Sequence, residues 1–213
     1  MNREHLGDGY DFFKRAMLDV LRTSRPTLKI MPMFSDRGWK DSEICIYKSL
    51  LGARAHEDVK RESFDGGSEY FEKRQMCDLF LDPDTGLKIN KERNPRNKNK
   101  KSSNKRRESR KKGPGARQYL RSSELEKLLN ATNVLAVYQH APREPPEWLK
   151  RKLRDLREDL RKNGIKSVGY EAGRVGMIFF TKNGKRSKEI KQELGKLVGQ
   201  HSKRVVSMPR LRG

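Results

Sequence analysis

Between Lys91 and Lys112 the chain carries twelve Lys or Arg against two Glu, with no aromatic and no aliphatic side chain. A segment of that composition has nothing to bury that would offset the entropy of ordering it, so it stays solvated or lies along a polyanion. Any core must therefore be assembled from the sequence on either side. Residues 1 to 90 hold fifteen basic and sixteen acidic side chains, net −1, whereas residues 113 to 213 hold twenty-three and ten, net +13. The basic excess begins abruptly at Lys91 and continues into a region with an ordered apolar pattern. Three parts are expected: a near-neutral, mainly helical or irregular segment over 1–90, a disordered basic linker over 91–116, and a basic α/β domain over 117–213.

The formal net charge is +22 and 33% of the residues are hydrophobic, with a mean hydropathy of −1.01. Such a chain has material for one modest core. Of the two obvious polyanions, nucleic acid is favoured over anionic membrane. A cluster of cations on phosphates releases condensed counterions and gives large, salt-sensitive affinity without reading a base. The plainer alternative is a solubilising linker. No apolar run approaches the ~20 residues that span a bilayer, so no membrane partner is expected. Glu4, Asp8, Asp11 and Asp19 are unlike an acid-poor transit peptide, and a secretory apolar region is lacking. Cys45 and Cys77 belong to no CxxC pair, and free thiols in a reducing compartment are the default.

Periodicity places the elements. Phe13, Met17, Val20 and Leu21 share one helical face within Tyr10–Leu21, ahead of Pro26. Ser42–Leu51 is periodic in Ile44, Ile46, Tyr47 and Leu50, without deciding between helix and strand. Asp65–Ser68 reads as a loop, and Asp82–Gly86 as a turn rather than a calcium loop. Beyond Gly113, Ser123 and Glu126 have capping-box spacing ahead of a short helix ending near Asn130. Asn133–Gln139 is nearly continuously apolar, as in a strand covered on both faces. After Pro145 and Pro146 a helix is expected, with Trp148, Leu149, Leu153, Leu156 and Leu160 in one stripe and Gly164 as its cap. Ile165–Tyr170 and Val175–Thr181 read as strands. Asn183–Gly184 turns into a helix bearing Ile190, Leu194, Leu197 and Val198, and Val205–Val206 closes the order. The fold class is thus α/β, a small mixed sheet with a βαβ unit in the C-terminal half.

Catalytic signatures are missing. There is no GxxxxGK[ST] loop, and the glycines from Gly169 to Gly176 lack GxGxxG spacing. Asp155, Glu158 and Asp159 sit among arginines at ion-pair spacing. His140 has no neighbouring Ser, Cys or Asp to complete a constellation. No enzyme activity, cofactor, metal or small-molecule substrate is expected. The RNA-binding candidates are Lys98, Lys100, Lys101, Lys105, Arg106, Arg107, Arg110, Lys111 and Lys112 in the run, and Arg117 beside Tyr119, a ring suited to stacking on unpaired bases. Arg151, Arg154, Arg157 and Arg161 complete the set, as guanidinium forks flanking the leucine stripe.

The stretch from Tyr119 to Gly176, with YLRSSELEKLL, NVLAVYQH, WLKRKLRDLREDLRKNG and IKSVGY in order, resembles the RNA-binding domain of the ribosomal stalk-base family, the tenth protein of the large subunit, in its mitochondrial form. The resemblance implies an α/β domain bound to large-subunit ribosomal RNA, with neighbouring ribosomal proteins as further partners and the mitochondrial matrix as the compartment. The sequence ends at Gly213, and the long stalk-recruiting helix of that family has no counterpart in it, so only RNA binding is expected to carry over. The alternative is a nuclear or viral regulatory nucleic-acid binder, with Lys98–Lys112 as a bipartite import signal.

Overall fold

A computed structural model describes residues 6–23, 28–32, 39–54, 58–59, 77–83, 86–88, 120–141, 144–199 and 205–207. The basic linker and the Asp65–Ser68 loop lie outside them. Helix α1 (Gly9–Arg22) begins after Asp8, whose carboxylate accepts the Tyr10 N–H at 2.9 Å. It buries Met17, Leu18, Val20 and Leu21. The undecided Ser42–Leu51 segment is helical, α2 (Asp41–Leu50), with Ile44, Tyr47 and Leu51 buried and Ile46 turned to solvent. Three-and-four spacing of those three residues makes the helix the conformer that puts them on one side.

Between and after these helices run β1 (Leu28–Met31), β2 (Asp58–Val59) and β3 (Cys77–Leu81). The mainly helical N-terminal segment therefore also supplies strands. β3 pairs in parallel with β6 (Thr132–His140), so strands from both sides of the basic run share one sheet. Both strands are buried along nearly their whole length, as strands at the centre of a sheet are.

β7 (Lys166–Ala172), β8 (Val175–Thr181) and β9 (Val205–Ser207) complete a seven-stranded sheet in the order β2-β1-β3-β6-β8-β7-β9. β8 is antiparallel to both β6 and β7. β7 thus runs parallel to β6 with β8 between them, and the expected βαβ unit is present in split form. A pair of two-residue strands, β4 (Leu87–Lys88) and β5 (Leu120–Arg121), lies apart from the sheet.

Alternate residues of each strand face opposite layers. Ile30, Phe80, Ala136, Tyr138 and Phe179 meet α1, α2 and α6 (Gly184–Val198). Leu79, Leu81, Leu135, Val137 and Ile178 meet α3 (Leu125–Ala131), α4 (Trp148–Asp155) and α5 (Arg157–Lys162). From the centre, β1–α2–β2 winds toward one edge with its helix on the first face. β3–α3–β6 and β6–α4–α5–β7 wind toward the other edge with helices on the second. Reversing direction and face together keeps one crossover hand. The sheet is doubly wound, and its reversal lies between β1 and β3.

Local differences have physical reasons. The leucine-stripe helix breaks at Leu156 into α4 and α5, yet Trp148, Leu149, Leu153, Leu156 and Leu160 all stay buried. Ahead of α3, Glu124 accepts the Arg121 N–H at 2.8 Å, and the Ser123 side chain of the expected Ser123–Glu126 pairing lies outside the described residues. A 3-10 turn over Ser122–Glu124 moves the cap back. Leu197, expected on the inner face of α6, is 47% exposed while Ile190 and Leu194 are buried. Gly176 lets α4 approach the sheet: a Cβ there would stand 2.9 Å from the Tyr170 carbonyl oxygen and 3.2 Å from the Trp148 ring.

Candidate nucleic-acid interface

Of the residues expected to contact RNA, Lys98, Lys100, Lys101, Lys105, Arg106, Arg107, Arg110, Lys111, Lys112, Arg117 and Tyr119 lie outside the described residues. The four arginines of the stripe helix are described. Leu149, Leu153, Leu156 and Leu160 anchor α4 and α5 on the second face of the sheet, which turns the opposite flank to solvent. Lys150, Arg154, Arg157 and Arg161 follow one another at spacings of three and four along that flank. Arg154 is exposed and Arg157 half-buried, and neither forms an ion pair among the described residues. Arg161 reaches Glu158 at 3.4 Å.

Arg151 has a different role. Its guanidinium donates to the carbonyl oxygens of Pro146 at 2.9 Å and Pro145 at 3.0 Å, and Glu144 stands 3.8 Å away. It holds the loop that enters α4. That entry is set from β7 as well, because the Glu171 carboxylate accepts the N–H groups of Glu147 and Leu149, each at 2.9 Å. Two orphan donors of the helix N-terminus are satisfied from another element. Glu147 itself has a φ of 62°, a left-handed conformation that a non-glycine residue adopts only when its surroundings impose it.

Doubly wound sheets usually take ligands outside the carboxyl ends of their strands, where the winding reverses. Here that position, after β3, holds Asp82. The Lys14 ammonium lies 2.9 Å from Asp82 and 2.9 Å from Asp11, and the Tyr47 hydroxyl donates to Asp82 at 2.8 Å. The Gly7 N–H donates to the second oxygen of Asp11 at 2.8 Å. Lys14 also stands 4.7 Å from the centre of the Tyr138 ring, a cation–π contact. All five side chains are buried. Burial pulls the Lys14 pKa down, but Asp82 and Asp11 outweigh it and hold the ammonium above its ordinary value. Burial, reinforced by Asp82, raises the Tyr47 phenol well above its usual range. The cluster keeps its charges by mutual pairing and fills the reversal point from within. Sequence reading passed over it, although Asp11 and Lys14 fall on the apolar side of α1, where a charged pair three residues apart must find further partners.

Another cation, the half-buried Lys152, donates to Gln139 Oε1 at 2.8 Å, the atom that also accepts the Leu87 N–H at 3.0 Å. Burial pushes its pKa down to about 8, partly opposed by Glu144. Cys45 is exposed, Cys77 is buried, and both are free thiols.

The fold and this surface define a three-layer, doubly wound α/β protein with a cationic helical flank. No protein-family model, no curated protein and no solved structure matches the chain.

Proposed function

We propose that the protein is a non-catalytic ribosomal or ribosome-associated protein that binds large-subunit ribosomal RNA through its basic run and its α/β fold. In this reading it is bound to mitochondrial ribosomes in the matrix, with other ribosomal proteins as neighbours. The observation that carries the reading is the partition of charge: −1 over residues 1–90, +10 over 91–112 and +13 over 113–213. A cationic run beside a basic fold is suited to a folded RNA, because phosphate neutralisation offsets the entropy of ordering the run. Arg154 and Arg157 present guanidinium groups without carboxylate partners among the described residues, and such forks pair bidentately with phosphates. The resemblance of Tyr119–Gly176 to the stalk-base family supports the same partner.

The test is crosslinking of the tagged protein to RNA in its native cells, followed by sequencing of the attached RNA. Crosslinks concentrated on one large-subunit ribosomal RNA, with co-sedimentation of the protein with large subunits, are expected. Crosslinks scattered over messengers, together with nuclear accumulation, would replace this reading by the regulatory nucleic-acid binder.

A further inference from the structure

One edge of the sheet gathers lysines from segments that are distant in sequence. Lys162 ends α5, and Lys166 opens β7 directly opposite Thr181 of β8. Lys182 follows that threonine, and Lys185 and Lys188 lie in the first turns of α6. The start of β6 borders the same edge: the Thr181 hydroxyl donates to the Asn133 carbonyl oxygen at 2.8 Å, and Lys182 donates to Asn130 Oδ1 at 2.6 Å. All five lysines are exposed. The amino ends of β6 and β7, the carboxyl end of β8 and the start of α6 thus form one cationic border.

What marks this border is the convergence of several unpaired lysines at one place. Some exposed cations elsewhere are balanced locally, Lys150 by Glu147 at 3.6 Å and Lys196 by Glu193 at 2.7 Å, while others such as Arg154 are not. Among the described residues, Lys162, Lys166, Lys185 and Lys188 form no ion pair. The first turn of α6 also carries no acidic residue, although the partial positive charge of a helix start favours one there. The chain places like charges where the backbone is already positive, at a cost in repulsion that an external polyanion would relieve.

We infer that this edge docks on the phosphate backbone of double-helical RNA, an inference that rests on the proposed RNA-binding function and assigns the surface that performs it. The lack of stacking rings in the segments that carry these lysines favours a duplex over unpaired strands. Neither Arg161–Lys166 nor Thr181–Lys188 contains an aromatic residue, so these two segments offer no platform for stacked bases. The charges are lysines, point charges on flexible stems that neutralise phosphates without reading bases. The edge positions the fold on a helix by shape and charge, leaving the basic run to follow other phosphates.

The experiment uses the full-length chain in three forms: wild type, an edge variant with Lys162, Lys166, Lys185 and Lys188 changed to Ala, and a run variant with Lys105, Arg106, Arg107, Arg110, Lys111 and Lys112 changed to Ala. Binding to an RNA duplex and to an unstructured single strand of equal length is followed by anisotropy over a series of salt concentrations. Each lost phosphate contact lowers the slope of log K against log salt by about one. The edge variant is expected to lower the duplex slope by about two to four, with single-strand binding little changed, and an all-Arg edge variant is expected to keep the slope. The four lysines replaced in the edge variant are exposed, and circular dichroism checks that the variants remain folded. An edge variant with the wild-type duplex slope, beside a run variant that loses affinity, would overturn the inference while leaving RNA binding intact. Wild-type protein that binds neither RNA would overturn both, and an equal loss on duplex and single strand would overturn the duplex assignment.

Discussion

At the scale of single residues, the Lys14 cluster is where one atom matters most. Removing the ammonium leaves the Asp11 and Asp82 carboxylates buried without their cation, a change that costs about 3–5 kcal/mol. Lys14→Met is expected to lose that much in urea denaturation, and Lys14→Met with Asp82→Asn to lose less, because the amide oxygen still accepts from Tyr47. The paired ammonium has a raised folded pKa, so its stabilisation is present at neutral pH and disappears only as pH rises beyond 10.5. Lys152 has the opposite sign. Its folded pKa of about 8 lies below its ordinary 10.5, so between those values the unfolded chain binds the extra proton and stability rises with pH. Lys152→Met should therefore be more stable than wild type at pH 7, and that advantage should shrink by pH 10.5. Unfolding free energies of both proteins across that range check it, and a constant difference would contradict the reading. Neither role was legible in sequence, since both depend on partners supplied by other elements.

At the scale of elements, α4 and its stripe were legible because burial and helical period coincide in Trp148, Leu149 and Leu153. Less legible was how close the helix could come to the sheet. At Gly176 an added Cβ stands 2.9 Å from a backbone oxygen of β7, whereas at Gly169 its nearest neighbour is the end of the Leu149 side chain at 2.8 Å, with the Met177 carbonyl oxygen farther off at 3.3 Å. Gly176→Ala is thus expected to cost about 1–3 kcal/mol through overpacking, and Gly169→Ala to cost less. Thermal melts of the two variants order them, and equal losses would show that the Leu149 side chain cannot move. Ile46 and Leu197 show the limit of period counting. An apolar residue near the edge of a helical face is buried only if a neighbouring element covers it, and here none of the described elements does.

At the scale of the molecule, the chain is bound together across its most polar segment. β3 and β6 pair side by side although the basic run separates them, so removing residues 1–116 would strip β6 of a neighbour and expose Tyr138 and Ala136 on the first face. A fragment of residues 117–213 is expected to aggregate or to melt without a cooperative transition, while the full chain unfolds in one. Calorimetry and light scattering distinguish these outcomes, and a soluble, cooperatively folded fragment would show that the C-terminal half stands alone. The sequence by itself determined the charge partition, the local elements from α3 to β9 and the α/β class, because composition, periodicity and turn residues act over a few neighbouring positions. Only the tertiary structure decided that strands from both halves share a sheet, that Asp11, Lys14, Tyr47 and Asp82 meet at its winding reversal, and that lysines from separate segments line one edge. Those contacts join positions far apart in the chain, and what selects them is the burial of complementary faces, which no local pattern records.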